Sequence, residues 1–130
     1  MNKNNVLSMS KDQTITVRSD FDIIMARMKV RKLARAMGLN TVDQARISLA
    51  TSSLAQALGL GERHHGQIAM NGLGGEEPRG VQVVCTKANA VTRELSPRAF
   101  ENMRWMVDEL TVETLPPNDL RVTLVKWLAS

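Results

Sequence analysis

Residues 41–58 read Thr-Val-Asp-Gln-Ala-Arg-Ile-Ser-Leu-Ala-Thr-Ser-Ser-Leu-Ala-Gln-Ala-Leu, and the fold becomes legible from this stretch. Thr41 and Gln44 make a capping-box pattern, the Thr41 hydroxyl accepting from an early amide while Gln44 reaches back to another. Ile47, Ala50, Leu54 and Leu58 then recur at three- and four-residue steps, the spacing of a core stripe on a helix. Gly59 and Gly61 stop it.

Upstream, Phe21 to Met37 carries Ile23, Ala26, Val30, Leu33, Ala34 and Met37 on one face of a second helix, with Asp20 as its cap and Gly38 just past its end. Before it, Gln13 to Arg18 alternates Ile15 and Val17 with polar residues, as a half-buried strand does. Downstream, Gly66 to Met70 and Gly80 to Thr86 read as strands, separated by a Gly- and Pro-containing loop from Asn71 to Arg79. Ser96 and Pro97 open a third helix to about Glu109, with Phe100, Met103 and Val107 inward. Leu110 to Leu115 and Leu120 to Leu128 form a hairpin around Pro116, Pro117, Asn118 and Asp119. The order is therefore β, α, α, β, β, α, β, β. It predicts an α+β fold, a two-layer sandwich of a mostly antiparallel sheet covered on one face by helices.

The 130 residues suit one domain, here 13–130 behind a flexible polar tail of residues 1–12, and one core can bury roughly two-thirds of the unfolded surface. No apolar run is long enough for a secretory signal or a membrane span, so a cytoplasmic protein without membrane contact is expected. The lone Cys85 sits in the apolar run Val81 to Cys85 and is read as a core thiol. The net charge of +4 alone does not mark a nucleic-acid binder. The four aromatic residues Phe21, Phe100, Trp105 and Trp127 do not sit in the basic or glycine-rich strands that stack on bases, so no nucleic-acid partner is expected.

Val42-Asp43-Gln44-Ala45-Arg46-Ile47, followed by Leu54-Ala55, resembles the second helix of the bacterial anti-sigma and switch serine/threonine kinases, the RsbT-like group. Ala26-Arg27 to Gly38-Leu39 resembles that family's first helix. Met106-Val107-Asp108-Glu109-Leu110-Thr111-Val112 resembles its last helix running into the final hairpin, which closes on Lys126-Trp127-Leu128. The resemblance spans about residues 13 to 128. It implies the histidine-kinase-like ATPase fold, the same sandwich as derived above.

The resemblance also implies a set of nucleotide-binding groups, and this chain departs from each. In the family the second helix carries a Glu and, one turn later, an Asn; the first polarises the nucleophile or its water, the second holds magnesium. The matching positions here are Ser53 and Ala57. An Asp that accepts from the adenine amino group should follow the central strand, among close glycines; Lys87 stands there instead, within Thr86-Lys87-Ala88-Asn89-Ala90-Val91. The glycine-rich segment that wraps phosphates is replaced by Arg93-Glu94-Leu95-Ser96-Pro97-Arg98. The implication is a degenerate member with no catalytic residue and no cofactor. The alternative is an active ATP- and magnesium-dependent serine kinase acting on an antagonist protein.

Other constellations carry plainer readings. His64 and His65 with Glu62 lack the shared face and third ligand of a metal site. Glu76 and Glu77 beside Pro78 read as a solvated loop, and Gly72, Gly74 and Gly75 as a flexible one. Met25, Met28, Met37, Met103 and Met106 read mainly as core filling. Arg27, Arg31 and Arg35, spaced by four, put three guanidinium groups along one side of the first helix, either as a solvated face or as donors to a partner's carboxylates, with Met28 beside them. The resemblance favours the second reading. It implies a sigma factor, an antagonist-type protein or a phosphatase as partner, and a possible homodimer.

Overall fold

The computed structural model describes residues 12–61, 64–74, 79–88 and 97–129. The elements follow the predicted order: β1 (Gln13–Val17), α1 (Asp20–Ala36), α2 (Thr41–Ala57), β2 (Gly66–Leu73), β3 (Gly80–Lys87), α3 (Pro97–Arg104), β4 (Glu109–Leu115) and β5 (Asp119–Trp127). The strands form one five-stranded sheet in the order β1-β2-β3-β5-β4, and every neighbouring pair is antiparallel. The α+β sandwich read from the sequence is thus the fold. The tail before Asp12 lies outside the described residues.

Strand alternation explains which face is covered. Val17, Ile68, Met70, Val83, Cys85, Val122 and Leu124 point to one side of the sheet. There they meet Ile23, Ala26, Val30 and Ala34 of α1 and Ile47, Ala50 and Leu54 of α2 in one apolar cluster. The opposite face alternates polar residues; on it Arg121 grips Glu113 through two bonds of 3.1 and 3.2 Å, which holds the Glu113 carboxyl below its usual range. Cys85 is fully buried in β3, and desolvation pushes its thiol up to about 12, so it behaves as the core thiol expected. Among the described residues no helix is long and apolar enough to cross a membrane.

Several boundaries differ from the sequence reading, each for a local reason. The cap of α2 is Asn40, whose Oδ1 accepts from the Asp43 amide at 2.8 Å; Thr41 is already helical. Asparagine ranks above threonine at this position, and Gln44 instead donates to the Leu39 carbonyl. The cap of α1 is Ser19 rather than Asp20, and the Asp22 carboxylate reaches back to accept from the Arg18 amide. Strand β2 runs on through Asn71, Gly72 and Leu73 because each pairs with β3, and Gln82 donates to Asn71 Oδ1 across that register. Gly72 is therefore a strand residue, not part of a loop. Helix α3 ends at Arg104, well short of Glu109. By Asp108 the chain has joined the sheet, its amide donating to the Val125 carbonyl and its carboxylate accepting from the Trp127 amide. Val107 is buried from that turn rather than from a helix.

Candidate functional site

Lys87 ends β3, between Gly66 of β2 and Leu120 of β5. Its side chain is buried, and its Nζ donates to the Leu58 carbonyl at 2.7 Å, directly beyond the end of α2. The last carbonyls of a helix have no intrahelical donor and carry the negative end of its dipole, so a cation there is stabilising. Gly59 turns the chain at this point with φ +70, its missing Cβ position 4.0 Å from the ammonium.

Ser53 and Ala57 lie one turn apart on α2, both half-buried, and Ala57 packs against the core. Since Leu58 follows Ala57, the Lys87 bond brings positions 57 and 87 to one corner of the molecule. The side chains at positions 53, 57 and 87 are a hydroxyl, a methyl group and an ammonium engaged by a backbone carbonyl. A serine hydroxyl is a poor base near neutral pH, a methyl gives no oxygen to a metal, and an ammonium offers no acceptor to an amino group. Asn89 to Val91 and Arg93 to Ser96 lie outside the described residues; Arg98 is exposed. So do Glu62, Gly75, Glu76, Glu77 and Pro78, while His64 and His65 are exposed. Among the described residues no group of three or more His, Cys, Asp or Glu is placed to hold a metal ion.

The second feature is the outer side of the helical layer. Helices α1 and α2 pack tightly, with small residues facing α1: Ser48 donates to the Arg27 carbonyl at 3.2 Å and Ser52 is buried. Arg27, Met28, Arg31 and Arg35 are all exposed, as the four-residue spacing requires once Val30, Leu33 and Ala34 face the sheet. Met28, Arg31, Lys32 and Arg35 line one cleft with Thr41 and Gln44 of α2. Arg27 lines a neighbouring cleft with Asp20, Ile23, Ile24, Ser52 and Gln56. Arg31 and Arg35 thus line one cleft against α2, and Arg27 lines the other.

Of the methionines read as core filling, Met37, Met103 and Met106 are buried, whereas Met28 is 58% exposed. Sequence reasoning missed the apolar character of this face: Phe21 and Ile24 on α1, and Val42 and Leu49 on α2, are also exposed. A signal was there, since Phe21, Ile24 and Met28 fall at i, i+3 and i+7, opposite the core stripe.

The serine/threonine-protein kinase RsbT of Bacillus subtilis (strain 168) is 23% identical over 133 residues, an alignment covering 92% of this chain and 99% of that protein. The chain is thus similar to RsbT along nearly its whole length. No protein-family model matches it. At this identity the relation to RsbT is distant but end to end, and the antiparallel sheet with helices on one face accords with it.

Proposed function

We propose that this RsbT-like chain is a cytoplasmic regulator that works by binding a protein partner, with a nucleotide site too altered to support phosphoryl transfer. The observation that carries the reading is Lys87, a buried cation bonded to the end of α2 where the family resemblance puts an adenine-binding Asp. Phosphoryl transfer depends on positioning a nucleotide and neutralising its charge. Ser53 is a poor base and Ala57 offers no metal ligand, and the Lys87 ammonium is bonded to the helix terminus. The exposed arginines of α1 then form the working surface, recognising carboxylates of a sigma factor, an antagonist-type protein or a phosphatase, with dimerisation as a possible accompaniment. The competing reading, an ATP-dependent serine kinase, is favoured by the kinase name of the B. subtilis relative.

Phosphate transfer separates the two. Wild type and the double variant Ser53→Glu/Ala57→Asn are incubated with magnesium, labelled ATP and a serine-bearing antagonist-type protein. Neither is expected to label the substrate above background, because restoring two groups on α2 does not provide an adenine acceptor at position 87. Labelling by the wild type overturns the proposal outright. Labelling by the double variant alone would mean that the rest of the nucleotide grip is intact, and counts against it equally.

A further inference from the structure

We propose that two copies of this chain join edge to edge through β4, each strand running antiparallel to its own copy about a two-fold axis at Val112. The two five-stranded sheets then continue as one, with the helices of both copies on the same side. This deepens the dimerisation named above and rests on it; the nucleotide site plays no part.

The sheet has two edges, β1 and β4. An edge strand carries a row of backbone donors and acceptors without a strand partner, which proteins commonly blunt with lysine, proline or a bulge. Strand β4 uses none of these. Its seven residues, Glu-Leu-Thr-Val-Glu-Thr-Leu, include neither lysine nor proline, and they pair with β5 without a skipped position. Its two acids are drawn back over β5, since Glu113 grips Arg121 and Glu109 accepts from Trp127 Nε1 at 2.6 Å.

Apolar content selects β4 over β1. Val112 lies opposite Val122 on the helix-covered side of the sheet, yet it is 41% exposed. On β1 the apolar residues are already used, Val17 being buried and Ile15 packed against the core. Pairing at β1 would add backbone bonds but cover no exposed apolar side chain.

Charge sets the register. With the axis perpendicular to the sheet and the pleats of the two copies matched, the axis must pass through a residue of β4 rather than between two. An axis at Thr111 sets Glu109 against Glu113, and one at Glu113 sets that residue against itself, so both oppose like charges. Axes nearer either end leave much of the strand unpaired. The axis at Val112 opposes Glu109 to Leu115, Leu110 to Thr114 and Thr111 to Glu113, with Val112 against its own copy. All seven residues then pair, and no acid faces an acid. Pro116, which has no amide hydrogen, ends the ladder just beyond Leu115. Pairing β4 with β1 of a second copy is head to tail, leaves two edges free and does not close.

The test is sedimentation equilibrium of the full chain across about 5 to 500 μM, a range suited to the weak association of small interfaces. A monomer and dimer in equilibrium are expected, with a dissociation constant on the order of tens of micromolar. Val112→Lys and Val112→Glu each place like charges on the axis and should weaken association about tenfold or more. An equimolar mixture of the two should restore it, because only a residue on the axis meets its own copy. Thr16→Lys on the β1 edge and Gln67→Lys on the open sheet face, both at exposed positions, should leave association within about twofold of the wild type. Val112 is exposed, so its variants should melt like the wild type. If one does not, Thr111→Glu, which sets an acid against Glu113 of the second copy, takes its place. A wild type that stays monomeric throughout overturns the proposal together with dimerisation. A dimer that survives both Val112 variants, that their mixture fails to recover, that Thr16→Lys or Gln67→Lys abolishes, or that grows into longer assemblies overturns the β4 edge alone.

Discussion

Lys87→Asp, the substitution that brings position 87 to the residue the family resemblance expects, should destabilise the protein severely instead of restoring nucleotide binding. The wild-type ammonium is buried and donates to the Leu58 carbonyl at 2.7 Å. A hydrogen bond from a charged group is worth about 1.5–3 kcal/mol, and that donor is lost. In its place comes a buried carboxylate facing the carbonyl end of α2, where both the helix dipole and desolvation oppose a negative charge. The combined effect is about 4 kcal/mol or more, on the scale of removing one partner from a buried ion pair. Lys87→Met removes the donor without adding a charge and should cost about 2 kcal/mol. Urea denaturation followed by circular dichroism reads both. An aspartate variant as stable as the methionine variant would show that the corner accommodates an acid, and the position would then have to be regarded as a replaceable pocket residue.

Asp43→Ala carries the second large effect. Asp43 is buried in the first turn of α2, with its carboxylate 3.3 Å from Arg46 and 3.6 Å from Lys126. Lys126 also bonds Asp108 at 3.2 Å, and Asp108 in turn accepts from the Trp127 amide. The set ties the start of α2 to the end of β5 and to the turn entering β4. Removing the acid leaves the nearly buried Lys126 with Asp108 alone, and Asp108 is partly exposed. Breaking a buried pair typically costs 3–5 kcal/mol, and the surviving Asp108 contact places this case near about 3 kcal/mol. Arg46→Ala, whose side chain is 44% exposed, should cost well under about 1 kcal/mol. Thermal and urea melts of the two variants decide this, and an Asp43→Ala loss no greater than that of Arg46→Ala would remove the structural role.

These residues show where sequence reading stopped. The element order was legible because apolar periodicity and glycine punctuation are local signals, and β1 through β5 obey them. Asn40 was passed over because Thr41 and Gln44 also satisfy a capping pattern; only backbone angles decide which residue is the cap. The reach of β2 through Leu73 was hidden because its last residues are stabilised by their partners on β3 rather than by their own propensity. Position 87 could be matched to a family motif, but the destination of its ammonium could not be read. That bond joins residues 29 apart in sequence and depends on how the end of β3 abuts the end of α2. Asp43 lies within the most recognisable stretch of the chain, and its contacts are those of a structural clamp. On α1 the arginine row was legible from spacing. The apolar component of that face was not, because Phe21, Ile24 and Met28 look like core residues until the direction of the buried stripe is known.

The most direct test of the central claim is titration of the wild-type chain with ATP and magnesium, read by calorimetry and by melting temperature. A ligand at about 100 times its dissociation constant adds about 2.7 kcal/mol, which for a domain of this size raises the melting temperature by about 10 °C. On the proposal that Ser53, Ala57 and Lys87 replace the nucleotide-binding groups that the family resemblance implies, millimolar ATP with magnesium is expected to give neither binding heat nor a shift. A magnesium-dependent rise of several degrees would contradict the account and return the chain to the ATP-dependent kinases.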